Sequence, residues 1–117
     1  MATDIRAELH YCGVSAQKTR LVVDMVRGRL AVQALDLLKF TPKVAARHVF
    51  KLLTSAVANA EENFGLSRDD LIVYRITADE APTRKWRRFG ARGRFKPLLR
   101  RSSHITIVLR ERASKDQ

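Results

Sequence analysis

The chain has 117 residues, 45% hydrophobic and 30% charged, with 23 Lys and Arg against 12 Asp and Glu, a net charge of +11 and a pI near 10.9. That apolar content suffices for one core and excludes global disorder, so a single domain is expected. The lone cysteine, Cys12, excludes an internal disulfide framework and a cysteine-rich zinc site. No apolar run approaches the ~20 residues of a membrane span, and the start MATDIRAELHY has no signal-peptide core, so the expectation is a soluble intracellular protein.

Residues 4–12 alternate, with Ile5, Ala7, Leu9 and Tyr11 on one side and Arg6, Glu8 and His10 on the other, the period of a half-buried strand ended by Gly13. Ser15 is placed to cap a helix over AQKTRLVVDMVRG, with Leu21, Val22, Met25 and Val26 as its apolar stripe. Lys18, Arg20, Arg27 and Arg29 lie off that stripe, and Gly28 closes the helix. A short second helix is expected over 31–38. Thr41 and Pro42 then read as cap and first residue of a third helix reaching to Phe64. Its expected buried face is Val44, Ala45, His48, Val49, Leu52, Leu53, Ala56, Val57 and Ala60, with Ala56, Ala58 and Ala60 allowing close packing. Lys43, Arg47 and Lys51 recur at i, i+4 on the other side, and Gly65 stops the helix. LIVYRITA and SSHITIVLRER then read as strands.

Between Glu80 and Glu111 no acid occurs, and residues 81–110 hold ten of the eleven net positive charges. The cations are Arg84, Lys85, Arg87, Arg88, Arg92, Arg94, Lys96, Arg100, Arg101 and Arg110, arginine outnumbering lysine eight to two. A guanidinium grips phosphate oxygens with a planar fork and stacks on bases, which an ammonium does not. Trp86, Phe89 and Phe95 interleave with the charges, as on RNA-binding surfaces. Such a segment repels itself and needs a polyanion to lie against.

Gly90 and Gly93 mark a turn in its middle. With the turn centred between Ala91 and Arg92, Tyr74 falls opposite Leu109, Ile76 opposite Ile107 and Ala78 opposite Ile105, apolar on apolar each time; a one-residue slip would undo all three. The same register puts Pro82 opposite Arg101 and Trp86 opposite Pro97. Two prolines are tolerated in an isolated ribbon but not inside a sheet. The expected fold is therefore α+β: three helices packed on a three-stranded antiparallel sheet, with a long protruding basic β-hairpin. The expected division is one domain over 1–117, made of a body (1–81 and 102–112), a hairpin arm (82–101) reaching roughly 30 Å at ~3.3 Å per residue, and a frayed tail (113–117).

Catalytic patterns are sparse. His10, His48 and His104 lie on different elements, and no H-x-x-x-H, HExxH, paired-Cys or phosphate-cradling glycine motif occurs. The expectation is no metal, no cofactor and no catalytic residue. Asp79 and Glu80 offer a carboxylate pair, but neighbours on a strand point to opposite faces.

Several blocks, in order and correctly spaced, resemble the bacterial-type large-subunit ribosomal protein L-twenty-two family: Ser15-Ala-Gln-Lys-Thr-Arg-Leu21, Val-Arg-Gly at 26–28, Ser55-Ala-Val-Ala-Asn-Ala-Glu61, Asp79-Glu-Ala-Pro82, and Gly93-Arg94 followed after nine residues by His104-Ile-Thr-Ile-Val108. The resemblance covers roughly residues 4–112. It implies a non-catalytic cytoplasmic protein, monomeric within the ribosome, that binds large-subunit ribosomal RNA and bridges its domains during assembly. It further implies that the arm lines the peptide exit tunnel, its tip meeting the ribosomal protein L-four at the constriction, with the nascent peptide as a candidate partner and macrolide susceptibility sensitive to changes there. By matched position the tip is Arg88, Phe89, Gly90, Ala91, Arg92, Gly93 and Arg94; many members carry a basic residue where this chain has Gly90. The RNA-contacting set would be Arg84, Lys85, Trp86, Arg87, Arg88, Arg92, Arg94, Phe95, Lys96, Arg100 and Arg101 on the arm, with Lys18, Arg20, Arg27 and Arg29 as a second patch. Competing readings are a dimeric DNA-architectural protein with basic arms, a metal-dependent RNA-processing enzyme using Asp79 and Glu80, and a basic membrane-surface protein. The last lacks a helical apolar stripe on the arm.

Overall fold

The computed structural model describes residues 4–81, 84–89, 95–100 and 102–112, and of Tyr11, 84–89 and 95–100 the backbone alone. The elements run β1 (Asp4–Cys12), α1 (Ala16–Val26), α2 (Ala31–Lys39), α3 (Val44–Phe64), a 3-10 turn (Arg68–Asp70), β2 (Leu71–Glu80), β3 (Arg84–Phe89), β4 (Phe95–Arg100) and β5 (Ser103–Glu111). One antiparallel sheet has the order β1-β5-β2, and β3 and β4 form a second sheet of their own. This is the expected α+β arrangement.

β5 is the centre of the body. Its residues alternate, with Ser103, Ile105, Ile107 and Leu109 fully buried. They meet the apolar faces of the helices, including Val22, Val23 and Val26 of α1, Ala31, Ala34 and Leu38 of α2, and Val49, Leu53, Val57 and Ala60 of α3. α3, 21 residues long, spans roughly 31 Å at ~1.5 Å per residue. It ends where Gly65 turns left-handed at φ 65° and passes its N–H, with that of Leu66, back to the Ala60 carbonyl.

Both edge strands carry a bulge, and the one in β2 corrects a sequence expectation. In β2 the register slips between Val73 and Arg75. Ile76 faces Ile107 and Ala78 faces Ile105 as expected, but Val73, not Tyr74, faces Leu109. The extra residue moves the buried phase from Leu71 and Val73 to Ile76 and Ala78, and Tyr74 is left outside. In β1 the slip between Leu9 and Cys12 turns Cys12 into the core as a free thiol.

Helix ends supply further corrections. α3 begins at Val44 with Lys43 as N-cap, so Pro42 is not its first residue. The Thr41 hydroxyl instead donates backward to the Leu37 carbonyl at 2.7 Å, closing α2. Ser15 does precede α1, but its side chain makes no cap; its carbonyl accepts both the N–H and the hydroxyl of Thr19. Leu21, Val44 and Ala58 are exposed, while Val23 and Ala46 take the buried places and His48 is half-buried. Gly28 follows α1 with φ 78°, and its N–H goes to the Val73 carbonyl at 2.9 Å, tying the helix exit to β2.

Asp4 pins the start of β1. Arg110 donates Nε to Oδ1 at 2.7 Å and Nη2 to Oδ2 at 3.1 Å, and its guanidinium lies 3.5 Å from the Tyr74 ring centroid. The Arg110 hydrogen bonds hold the Asp4 carboxyl below its ordinary 3.8. A depressed carboxylate stabilises the fold fully above its unfolded pKa and loses that contribution as pH falls through the folded value. The gap in melting temperature between the native chain and Asp4→Asn should therefore be widest above about pH 5 and close well below pH 4. A gap that persists at about pH 2 would assign the difference to something other than the carboxylate charge.

Candidate nucleic-acid interface

The basic segment leaves the body at a built root. Glu80 pairs with Ser103 at the end of the main sheet, and the Ala81 N–H donates to the Ser102 carbonyl at 3.1 Å. Ser103 is fully buried there; its hydroxyl donates to the Val14 carbonyl at 2.9 Å and lies 3.4 Å from the Thr19 hydroxyl. A buried hydroxyl needs such partners, so the point of departure is fixed by hydrogen bonds as well as packing.

Beyond the root, β3 pairs with β4 in a different register: Arg84 with Arg100, Lys85 with Leu99, Trp86 with Leu98, Arg87 with Pro97, Arg88 with Lys96, and Phe89 with Phe95. Trp86 thus meets Leu98, not Pro97. The pairing has shifted by one residue because three residues (81–83) leave on one side and two (101–102) return on the other. The expected Pro82–Arg101 pairing, the tip residues Gly90, Ala91, Arg92, Gly93 and Arg94, and the tail 113–117 lie outside the described residues. Two of the six opposed pairs, Arg84–Arg100 and Arg88–Lys96, are cation against cation. Like charges directly opposed destabilise a ribbon, and an isolated two-stranded sheet is marginal in water. The molecule measures 71 × 25 × 21 Å, with a radius of gyration of 17.6 Å against about 13 Å for a compact chain of this length.

The second predicted patch is distributed differently from its sequence reading. β2 is an edge strand, so some of its carbonyls lack a partner strand. Arg20 donates Nε to the Ala78 carbonyl and Arg27 donates Nη2 to that of Ile76, both at 2.9 Å, covering that edge. Arg27 also bonds Asp24 at 2.6 Å, and Arg29 turns its Nε back to the Met25 carbonyl at 2.7 Å. Lys18 stands elsewhere, lining an open cleft of about 700 Å³ with Leu21, Lys43 and Val44. Sequence reasoning missed the edge-covering role because an arginine suited to phosphate is equally suited to a carbonyl. The available signal was the seven-residue spacing of Arg20 and Arg27, two helical turns on one face. Asp79 and Glu80 are exposed and pair with His104 and Ser103; no cluster of three or more His, Cys, Asp or Glu occurs among the described residues.

Fold and charge together define a class: a small basic α+β protein that carries most of its excess charge on a ribbon separate from its main sheet. The sequence comparisons make this specific. The family model for ribosomal protein L22p/L17e matches residues 7–110. The large ribosomal subunit protein uL22 of Pediococcus pentosaceus is 44% identical over 110 residues, covering 94% of this chain and 93% of that protein. The chain belongs to the ribosomal protein L22p/L17e family.

Proposed function

We propose that the protein is a non-catalytic structural component of the large ribosomal subunit, cytoplasmic, which binds large-subunit ribosomal RNA and bridges RNA domains as the subunit assembles. The observation that carries this reading is the coincidence of two features on 84–100: eight of the eleven net charges, in a stretch with no acid between Glu80 and Glu111, and a separate two-stranded sheet with cations opposed to cations. Phosphates laid against such a ribbon replace repulsion with charge-assisted hydrogen bonds, so RNA supplies the stability the ribbon lacks.

Arg84, Lys85, Arg87, Arg88, Arg92, Arg94, Lys96, Arg100 and Arg101 neutralise phosphates from several RNA segments, and Trp86, Phe89 and Phe95 stack on bases or fill gaps between them. Arg20 and Arg27 each have guanidinium N–H groups beyond those spent on β2, so they extend the interface at the root of the arm. The tip, Arg88 to Arg94, lies in the wall of the peptide exit tunnel beside the ribosomal protein L-four and within reach of the nascent peptide. Family membership supports the assignment to the large subunit, as the name of the Pediococcus relative does. On a sucrose gradient of cell extract the protein should migrate with the large subunit. Migration with the small subunit, or as free protein, would overturn the proposal.

A further inference from the structure

Outside the ribbon there is a second concentration of positive charge, and the proposed arm does not use it. Residues 39–51 contain Lys39, Lys43, Arg47 and Lys51 and no acid; with these and 81–110 set aside, the rest of the chain sums to −3. All four cations line an open cleft of about 800 Å³ between the end of α2 and the start of α3, and no carboxylate lines it. Lys43 and Arg47 also stand at the N-terminal end of α3, and Lys51 follows one turn further on. The helix dipole disfavours cations near its N-terminus, its first turn has no acid, and like charges at i, i+4 repel.

Two large apolar side chains are exposed at the same corner: Phe40 at 79% and Val44 at 68%. The only described cation near the Phe40 face is the Lys39 Nζ, 5.9 Å from the ring centroid and so at the limit of a cation–π contact. The ring is open to another planar partner. A protein partner fits poorly, because lysine is depleted from protein–protein interfaces. Phe40 does not itself line the cleft but stands in the chain between two residues that do, Lys39 and Thr41, and an exposed ring beside a row of cations is what single-stranded nucleic acid binds: backbone phosphates on the charges, a base on the ring.

We propose that this α2–α3 cleft is a second RNA site that takes an unpaired nucleotide, with the base stacked on Phe40 and the flanking phosphates on Lys39, Lys43, Arg47 and Lys51. It stands on its own charges and cleft, independent of the arm.

The test uses the full chain with the arm silenced by glutamine at all nine of its cations, Arg84, Lys85, Arg87, Arg88, Arg92, Arg94, Lys96, Arg100 and Arg101. The probes are a labelled RNA stem-loop with an unpaired loop and a fully paired RNA duplex of equal length. The silenced chain should still bind the stem-loop. Phe40→Ala, which removes no core packing, should weaken that binding about 5- to 100-fold and leave duplex binding within about twofold. Lys43→Gln with Arg47→Gln should lower the salt slope by about 1.4, at ~0.7 per single-strand phosphate. The proposal is overturned if the silenced chain has no affinity for the stem-loop, if Phe40→Ala changes nothing, or if a polyglutamate peptide binds this corner more tightly than the stem-loop. Failure of the arm reading would look different: the silenced chain would bind RNA as tightly as the native one.

Discussion

Deleting residues 84–100 is expected to leave a body that melts within a few degrees of the native chain while RNA affinity falls by about three orders of magnitude or more. The first half follows from topology. β1, β5 and β2 form a complete sheet without β3 and β4, and among the described side chains every fully buried large one, from Ile5 to Leu109, belongs to β1, β2, β5 or a helix. The root closes upon itself through the Glu80–Ser103 pair and the Ala81–Ser102 hydrogen bond, so a short Asn-Gly turn can replace what is removed. Removing the Arg84–Arg100 and Arg88–Lys96 oppositions also relieves repulsion. The second half follows from charge: the deletion takes away eight cations and leaves a net +3. Thermal melts and a binding titration against large-subunit RNA check both halves together. Loss of the body's own cooperative melt would mean that the ribbon is part of the core.

Salt should act almost as strongly on the intact chain. Nine cations lie between Arg84 and Arg101. Each phosphate they neutralise releases condensed counterions, contributing about −0.7 to −0.9 to the slope of log affinity against log salt. With about seven to nine contacts, affinity for large-subunit RNA should fall roughly 10³- to 10⁵-fold between about 50 and 200 mM salt. Replacing Arg84, Arg87, Arg88, Arg100 and Arg101 by glutamine should flatten the slope by about 4. A slope that is shallow in the native chain, or unchanged by these substitutions, would place the main RNA contact elsewhere.

Much of this fold can be read from the chain because its patterns are simple where they matter. β5 alternates without interruption from Ser103 to Leu109, and Ile76 and Ala78 find their partners by arithmetic alone. Periodicity fails at the bulges, since one unpaired residue, as at Tyr74, reverses the phase and no composition rule announces it. It fails again at helix corners. Leu21 and Val44 fit an apolar stripe yet end at the surface, lining one cleft, because a stripe does not say where the neighbouring element stops. Thr41 carried a start signal that the structure uses as a stop signal, its hydroxyl reaching back to Leu37. The candidate site divides in the same way. The charge of the arm is visible in the sequence, since no acid lies between Glu80 and Glu111. That Arg20 and Arg27 hold the edge of β2 required the strand order, which no local pattern contains.

The central claim is that the ribbon takes its stability from RNA. It is tested most directly by placing a photoreactive benzophenone side chain at Trp86, in the middle of β3, in purified large subunits and identifying what it captures on irradiation. The account predicts adducts with large-subunit ribosomal RNA. Adducts with residues of the chain's own body, and none with RNA, would contradict it.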